Sequence, residues 1–220
     1  MEKTPTSESL RIGTTGDYRP LTWRDPATGA RSGRDIDTVT AFAEAEGMIP
    51  VFVSTTWAAM LDDLVAGKFE MAVGGISKTD VREEAALLSD PIETTGKVAL
   101  VRCGEVQSYR TLGEIDRAGV RVIENRGGTN ERFGLDRIRH AEIILVPDNH
   151  EPFEFLRAGK ADVMFTDSLE AEYLARQHSG LCAANADRPF THVDKVFLFR
   201  KEEGALQQAF NRWFAARRQP

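Results

Sequence analysis

Short apolar runs alternate with segments of helical spacing along almost the whole chain, and this rhythm limits the possible folds more than any other feature. LRIGTT (10–15) reads as a first strand. The stretch 35–46 then places Ile36, Val39 and Ala43 on one side of a helix that Gly47 stops. VFVST (51–55) predicts a strand, WAAMLDDLVAGK (57–68) a helix, and MAVGGIS (71–77) a buried strand followed by a short helix to about Leu88. KVALVRC (97–103), RVIEN (121–125), EIILVP (142–147), ADVMFTD (161–167), LCAA (181–184) and KVFLFR (195–200) continue the strands. Helices are predicted near TLGEI, from about Thr129, over 150–158, from Ser168 and from about Glu203. Repeated strand-helix units predict an α/β protein with parallel sheets covered by helices on both faces.

At 220 residues the chain suits two lobes of roughly 100 residues each. The composition shift at CGEVQS (103–108) marks a first crossing between lobes and DKV (194–196) a return. This assigns 1–104 plus 196–220 to a discontinuous lobe 1 and 105–195 to lobe 2. MAVGGIS followed by KTDVRE, and RVIEN followed by RGGTNERF, repeat one theme, a strand ending in small residues whose exit loop opens a helix. Two open sheets of this kind are expected to hold a ligand cleft between the lobes.

With 41% hydrophobic and 28% charged residues, disorder and fibre are excluded. A net charge of -6 argues against nucleic acid as a partner. No run approaches the ~18 apolar residues of a membrane span, and MEKTPTSESL lacks a signal peptide's apolar centre, so a soluble protein is expected. Met1 does not decide between a cytoplasmic chain and one trimmed of a leader. His140, His150, His178 and His192 form neither HxxxH nor HExxH, so no metal site is expected. There is no GxSxG, which removes that hydrolase template. Nothing in the sequence specifies an oligomer.

The candidate functional residues lie at predicted strand exits, and each has two readings. In NRGGTNERF (125–133), Thr129 or Asn130 is either an ordinary helix cap or part of a carboxylate cradle at a helix N-terminus; GxGxxG and a phosphate-loop lysine are missing. In GGISKTDVRE (74–83), Ser77 and Asp80 fit a capping box, whereas Arg82 either pairs with Asp80 or Glu83 or forks onto a ligand carboxylate. In FTDSLEAEY (165–173), Thr166, Asp167 and Glu170 gather at a strand end. Asp167 and Glu170 are either a capping box or a pair divided into an ionised orienter and a protonated acid. Lys97 is a surface lysine or a cation facing the cleft. Tyr18, Trp23 and Trp57 are core or ligand-facing. Cys103 and Cys182 are two separate thiols or one disulfide, which would imply an oxidising compartment.

TTGDYRPLTW, SGRDIDTVTAFAEAEG, TTWAAMLDDLVAGKFEMAVGGIS, NRGGTNERF, PDNHEPFEFLRAGKADVMFTDSLEAE and LCAANADRPF together resemble the periplasmic type of cyclohexadienyl dehydratase, from about Leu10 to Arg200. The resemblance implies a two-lobed type 2 periplasmic-binding-protein fold, each lobe an open mixed sheet flanked by helices. It also implies decarboxylative dehydration of prephenate to phenylpyruvate and of arogenate to phenylalanine, without metal or cofactor, in the periplasm. Glu170 falls on the general acid, and Ser77 and Arg82 on a carboxylate clamp. Thr129 and Asn130 fall on anion-holding loop positions, Lys97 on a lysine of the same cleft, and Asp167, Tyr18 and Trp57 on substrate-binding positions. Cys103 and Cys182 match family cysteines, which favours the disulfide. The sequence departs from the family at Leu21 and Arg34. The alternative is a non-catalytic solute-binding protein that captures an amino acid or related carboxylate for a transporter. The two share fold and clamp and differ in the proton donor.

Overall fold

A computed structural model describes residues 8–218; the polar opening residues 1–7 and residues 219–220 lie outside the described residues. The chain divides into two compact units. One runs to Glu93 and resumes at Lys195, and the other is Thr94–Asp194. The first crossing therefore falls at 93/94 rather than at the composition shift near Cys103. Among the described residues the strand beginning at Lys97 pairs with strands of the second unit.

Along the chain come β1 (Ser9–Thr14), β2 (Asp17–Tyr18), β3 (Thr22–Arg24), β4 (Arg31–Ser32), α1 (Arg34–Ala45) and β5 (Ile49–Ser54). Next are α2 (Met60–Val65), β6 (Met71–Ser77), α3 (Asp80–Ala85), β7 (Leu87–Leu88), β8 (Glu93–Thr95) and β9 (Lys97–Arg102). After a 3-10 turn at Cys103–Ser108 follow α4 (Leu112–Ile115), β10 (Arg121–Asn125), α5 (Thr129–Arg137), β11 (Glu142–Val146) and α6 (Glu151–Arg157). The last elements are β12 (Met164–Asp167), α7 (Ser168–Arg176), β13 (Leu181–Ala183), β14 (Val193–Phe199) and α8 (Gly204–Arg217).

The first unit is built on a sheet ordered β5-β1-β6-β14-β7, with β8 also pairing β14. β1 runs parallel to β5 and β6, as expected of strand-helix units. β14 is antiparallel to β6, with Lys195 opposite Ser77, so the sheet is mixed and not parallel throughout. Strand alternation sorts the core onto two faces. Met71, Val73, Phe197 and Phe199 face α1 and α8 with Leu10, Ile12, Val39 and Phe42, and Ala72, Ile76, Val196 and Leu198 meet Met60, Leu64 and Phe69 on the other side. Phe210 of α8 is fully buried against Phe42, Phe197 and Phe199, a burial worth roughly 1.5–3 kcal/mol. The short sheet β2-β3-β4, which carries Tyr18 and Trp23, was not apparent from hydrophobic periodicity because two- and three-residue strands are too short to show one.

In the second unit β10 and β11 pair in parallel, while β12-β9-β13 is antiparallel. Among the described residues one isolated bridge, Val122 to Val163, joins the two sheets. Alternation again divides the core: Val98, Leu100, Ile123 and Met164 on one side, Ala99, Val101, Val122, Val163 and Phe165 on the other. Cys103 and Cys182 form a disulfide, so the separate-thiol reading is excluded. Among the described residues no helix is long and apolar enough to cross a membrane.

Candidate functional site

In the second unit the antiparallel register of β9 and β12 sets Lys97 directly opposite Asp167, and cross-strand partners present their side chains on one face. The Lys97 ammonium donates to Asp167 Oδ1 at 2.9 Å, to Thr129 Oγ1 at 3.1 Å and to Asn130 Oδ1. Lys97 is thus neither a surface lysine nor a cation with donors to spare. Two capping expectations change with it. The cap of α5 is Gly128, and Thr129 and Asn130 lie inside the first turn with their side chains turned to Lys97. Asp167 occupies the N-cap of α7 but makes no side-chain cap bond, because its carboxylate is drawn to the lysine. The capping-box reading of Asp167 with Glu170 therefore fails.

Glu170, in the first turn of α7, is buried and accepts a hydrogen bond from the Thr166 hydroxyl. The strand pattern did not flag a second buried acid of this unit, Glu124, the one carboxylate in RVIEN. It is fully buried, and its Oε1 accepts from the Phe165 N–H at 2.7 Å. The β10-β12 ladder has shrunk to one bridge here, and the side chain satisfies an amide that the strands leave unpaired. Burial holds the Glu124 carboxyl well above the usual range. The Phe165 bond and Lys97 oppose this, and the charges of Glu131 and Glu170 add to it. Glu170 is the last of these influences, and the shift of Glu124 is set chiefly by its burial.

In the first unit the site residues gather around the glycine pair within β6, Gly74 and Gly75. Gly75 has φ +73, and a Cβ there would come within 2.6 Å of the Tyr18 ring, so this backbone and ring can approach only at a glycine. Tyr18 packs edge-on against Trp57, whose indole N–H donates to Asp17 Oδ1 at 3.2 Å. Two cations meet at Ser77: Arg82 donates to its carbonyl oxygen at 2.5 Å, and Lys195 donates to its hydroxyl at 2.9 Å while lying 5.6 Å from the Tyr18 ring centroid. Ser77 is not a cap. Thr79 caps α3 and accepts from the Arg82 N–H.

Asp35 completes this side. It is buried, and its Oδ2 accepts from the Gly75 N–H at 2.9 Å. Burial pushes its carboxyl up to about 7, against the Gly75 bond and the Arg34 charge. The two departures from the family pattern separate here. Leu21 is fully buried under Gly75, whereas Arg34 turns outward to pair with Glu93.

Of the buried ionisable residues in these two clusters, sequence reasoning missed Asp35, Glu124 and Lys195. Lys195 carries the same signal as Lys97, a lone lysine opening the apolar strand KVFLFR, and it stands where the sequence also marks the return between lobes. Asp35 sits on the buried side of α1 beside Ile36, a position that periodicity assigns to an apolar residue. Among the described residues no group of three or more His, Cys, Asp or Glu side chains is placed to hold a metal ion.

A chain returning through an antiparallel strand to complete a first α/β unit around an inserted second one has the type 2 periplasmic-binding-protein fold, as its structural neighbours do. Residues 10–219 match the bacterial extracellular solute-binding proteins, family 3, and the chain belongs to that family. It is 37% identical over 204 residues to the cyclohexadienyl dehydratase of Pseudomonas aeruginosa, spanning 93% of this chain and 75% of that protein. It is 27% identical to a probable amino-acid ABC transporter-binding protein of Haemophilus influenzae, over 100% of this chain and 82% of the other. Among solved structures, an ancestral amino-acid-binding protein described as a precursor of cyclohexadienyl dehydratase superposes with a TM-score of 0.86 at 31% identity. That match covers 94% of this chain and 88% of the other.

Proposed function

We propose that the chain is a periplasmic cyclohexadienyl dehydratase that converts prephenate to phenylpyruvate and arogenate to phenylalanine without metal or cofactor. The observation that carries this reading is Glu170. It is buried and held by Thr166, and helix capping does not account for it. The 37% identity to a dehydratase supports the same reading.

In the proposed reaction the bond from the ring to its carboxylate breaks, carbon dioxide leaves, and the bonding electron pair enters the ring and makes it aromatic as the ring hydroxyl departs. That hydroxyl takes the proton of Glu170 and leaves as water, and solvent then reprotonates the Glu170 carboxylate. Arg82 and Ser77 are assigned to a substrate carboxylate, Tyr18 and Trp57 to its ring, and Thr129 and Asn130 to an anionic group. Lys97 and Asp167 order the latter pair.

The second reading, a non-catalytic binding protein, is favoured by the relatives whose names describe binding proteins. One assay separates the two. Purified protein is incubated with prephenate at neutral pH and phenylpyruvate absorbance is followed. Product that accumulates in proportion to protein supports the enzyme, and saturable prephenate binding without product supports the binder.

A further inference from the structure

A lysine ammonium has three N–H donors and no acceptor. At Lys97 all three are used, by Thr129 Oγ1, Asn130 Oδ1 and Asp167 Oδ1, in a place where the lysine side chain is 5% and the Asp167 side chain 4% exposed. The chemistry of the three neighbours is fixed as a result. Asp167 is already matched by a positive charge. Asn130 must turn its carbonyl to the lysine, so its NH2 end points away. The Thr129 oxygen accepts, so its own hydrogen is directed elsewhere. What this cluster offers a ligand is donors.

An α-amino acid brings an ammonium, which needs acceptors and a counter-charge. A 2-oxo acid of the same skeleton brings only acceptors in its place. We propose that Lys97 is a specificity-determining positioning residue: by covering Asp167 and orienting Asn130 and Thr129 as donors, it makes the chain select carboxylates without an α-ammonium over α-amino acids. The proposal deepens the dehydratase reading, on which it rests for the ligand skeleton, by ranking prephenate above arogenate.

Phenylpyruvate and L-phenylalanine differ only at the α-carbon, and their binding can be titrated calorimetrically whether or not the protein turns anything over. Wild-type protein is expected to bind phenylpyruvate at least tenfold tighter than L-phenylalanine. Lys97→Met uncovers Asp167 and is expected to move that ratio at least tenfold toward L-phenylalanine. Should the single variant fail to fold, Lys97→Met/Asp167→Asn replaces the buried ion pair with neutral groups of similar size and frees Asn130 to turn. Its ratio is expected to fall to within about threefold of unity, the limit set by a freely rotating amide that donates or accepts equally well. A merely structural lysine would weaken both ligands together and leave the ratio alone. Wild-type protein that binds L-phenylalanine as tightly as phenylpyruvate, or that binds neither, overturns the proposal, as does a wild-type ratio retained in the variants. Absent prephenate turnover with the expected binding ratio overturns the dehydratase reading and leaves this one standing.

Discussion

Both units carry a buried lysine at or near the start of a strand and a buried acid whose carboxyl meets one backbone N–H, yet the lysines meet different chemistry. In the first unit Lys195 and Arg82 converge on an uncharged residue, Ser77, one on its hydroxyl and the other on its carbonyl. In the second, Lys97 is tied to a carboxylate and two neutral acceptors. The acids match more closely. Asp35 takes the Gly75 N–H and Glu124 the Phe165 N–H, and each leaves its other oxygen without a hydrogen-bond partner among the described residues. A buried orphan oxygen is less costly on a protonated acid than on an anion, consistent with the upward shift of both carboxyls. Similar ingredients thus meet at a serine in one unit and at a carboxylate with two neutral acceptors in the other.

The largest effect expected from breaking this comparison is at the network. Lys97→Met removes one partner of a buried ion pair and should cost about 3–5 kcal/mol of stability, read from urea unfolding at pH 7. A loss below about 1 kcal/mol would show the pair to be no better than an exposed one. Next is Glu124. Glu124→Leu leaves the Phe165 N–H without its acceptor and should cost about 1–3 kcal/mol, whereas Glu124→Gln keeps an acceptor and should stay within about 1 kcal/mol of wild type at pH 5. Equal losses in the two variants would mean that the N–H contact is not what the side chain provides.

The last and most diagnostic effect is a slope rather than a loss, and it is read in pH. The folded-state pKa of Asp35 is raised, so the native chain holds a proton that the unfolded chain has released between pH 3.8 and about 7. Stability should therefore fall as pH rises through that window, by about 1.4 kcal/mol per pH unit for one such group. Glu124 acts in the same direction. Asp35→Asn, which retains an acceptor for Gly75, should flatten the slope without abolishing it. An unchanged slope would place the titration elsewhere.

What the sequence made legible follows from the range of each signal. The strand-helix rhythm located nearly every long element, because alternation and helical periodicity are local. Strand direction was not local. Only the return of β14 beside β6 made the first sheet mixed, and nothing in KVFLFR states its partner. The site was legible where chemistry-bearing residues cluster in sequence, as in FTDSLEAEY and NRGGTNERF. The link between these clusters was not, since Lys97 reaches residues more than thirty positions away. For the same reason the capping readings were wrong. Spacing within a helix predicts a cap, but a distant cation competes for the same side chain, and in a buried setting the charge-assisted contact prevails.

The account's central claim is that Glu170 gives up a proton in a reaction and does more than line a binding surface. It is tested most directly by Glu170→Gln, with prephenate turnover and prephenate binding measured on the same preparation. The amide keeps the shape and loses the acid. The account predicts a fall in kcat of at least about 10²-fold, with affinity changed by less than about tenfold. Turnover by Glu170→Gln at the wild-type rate would contradict it.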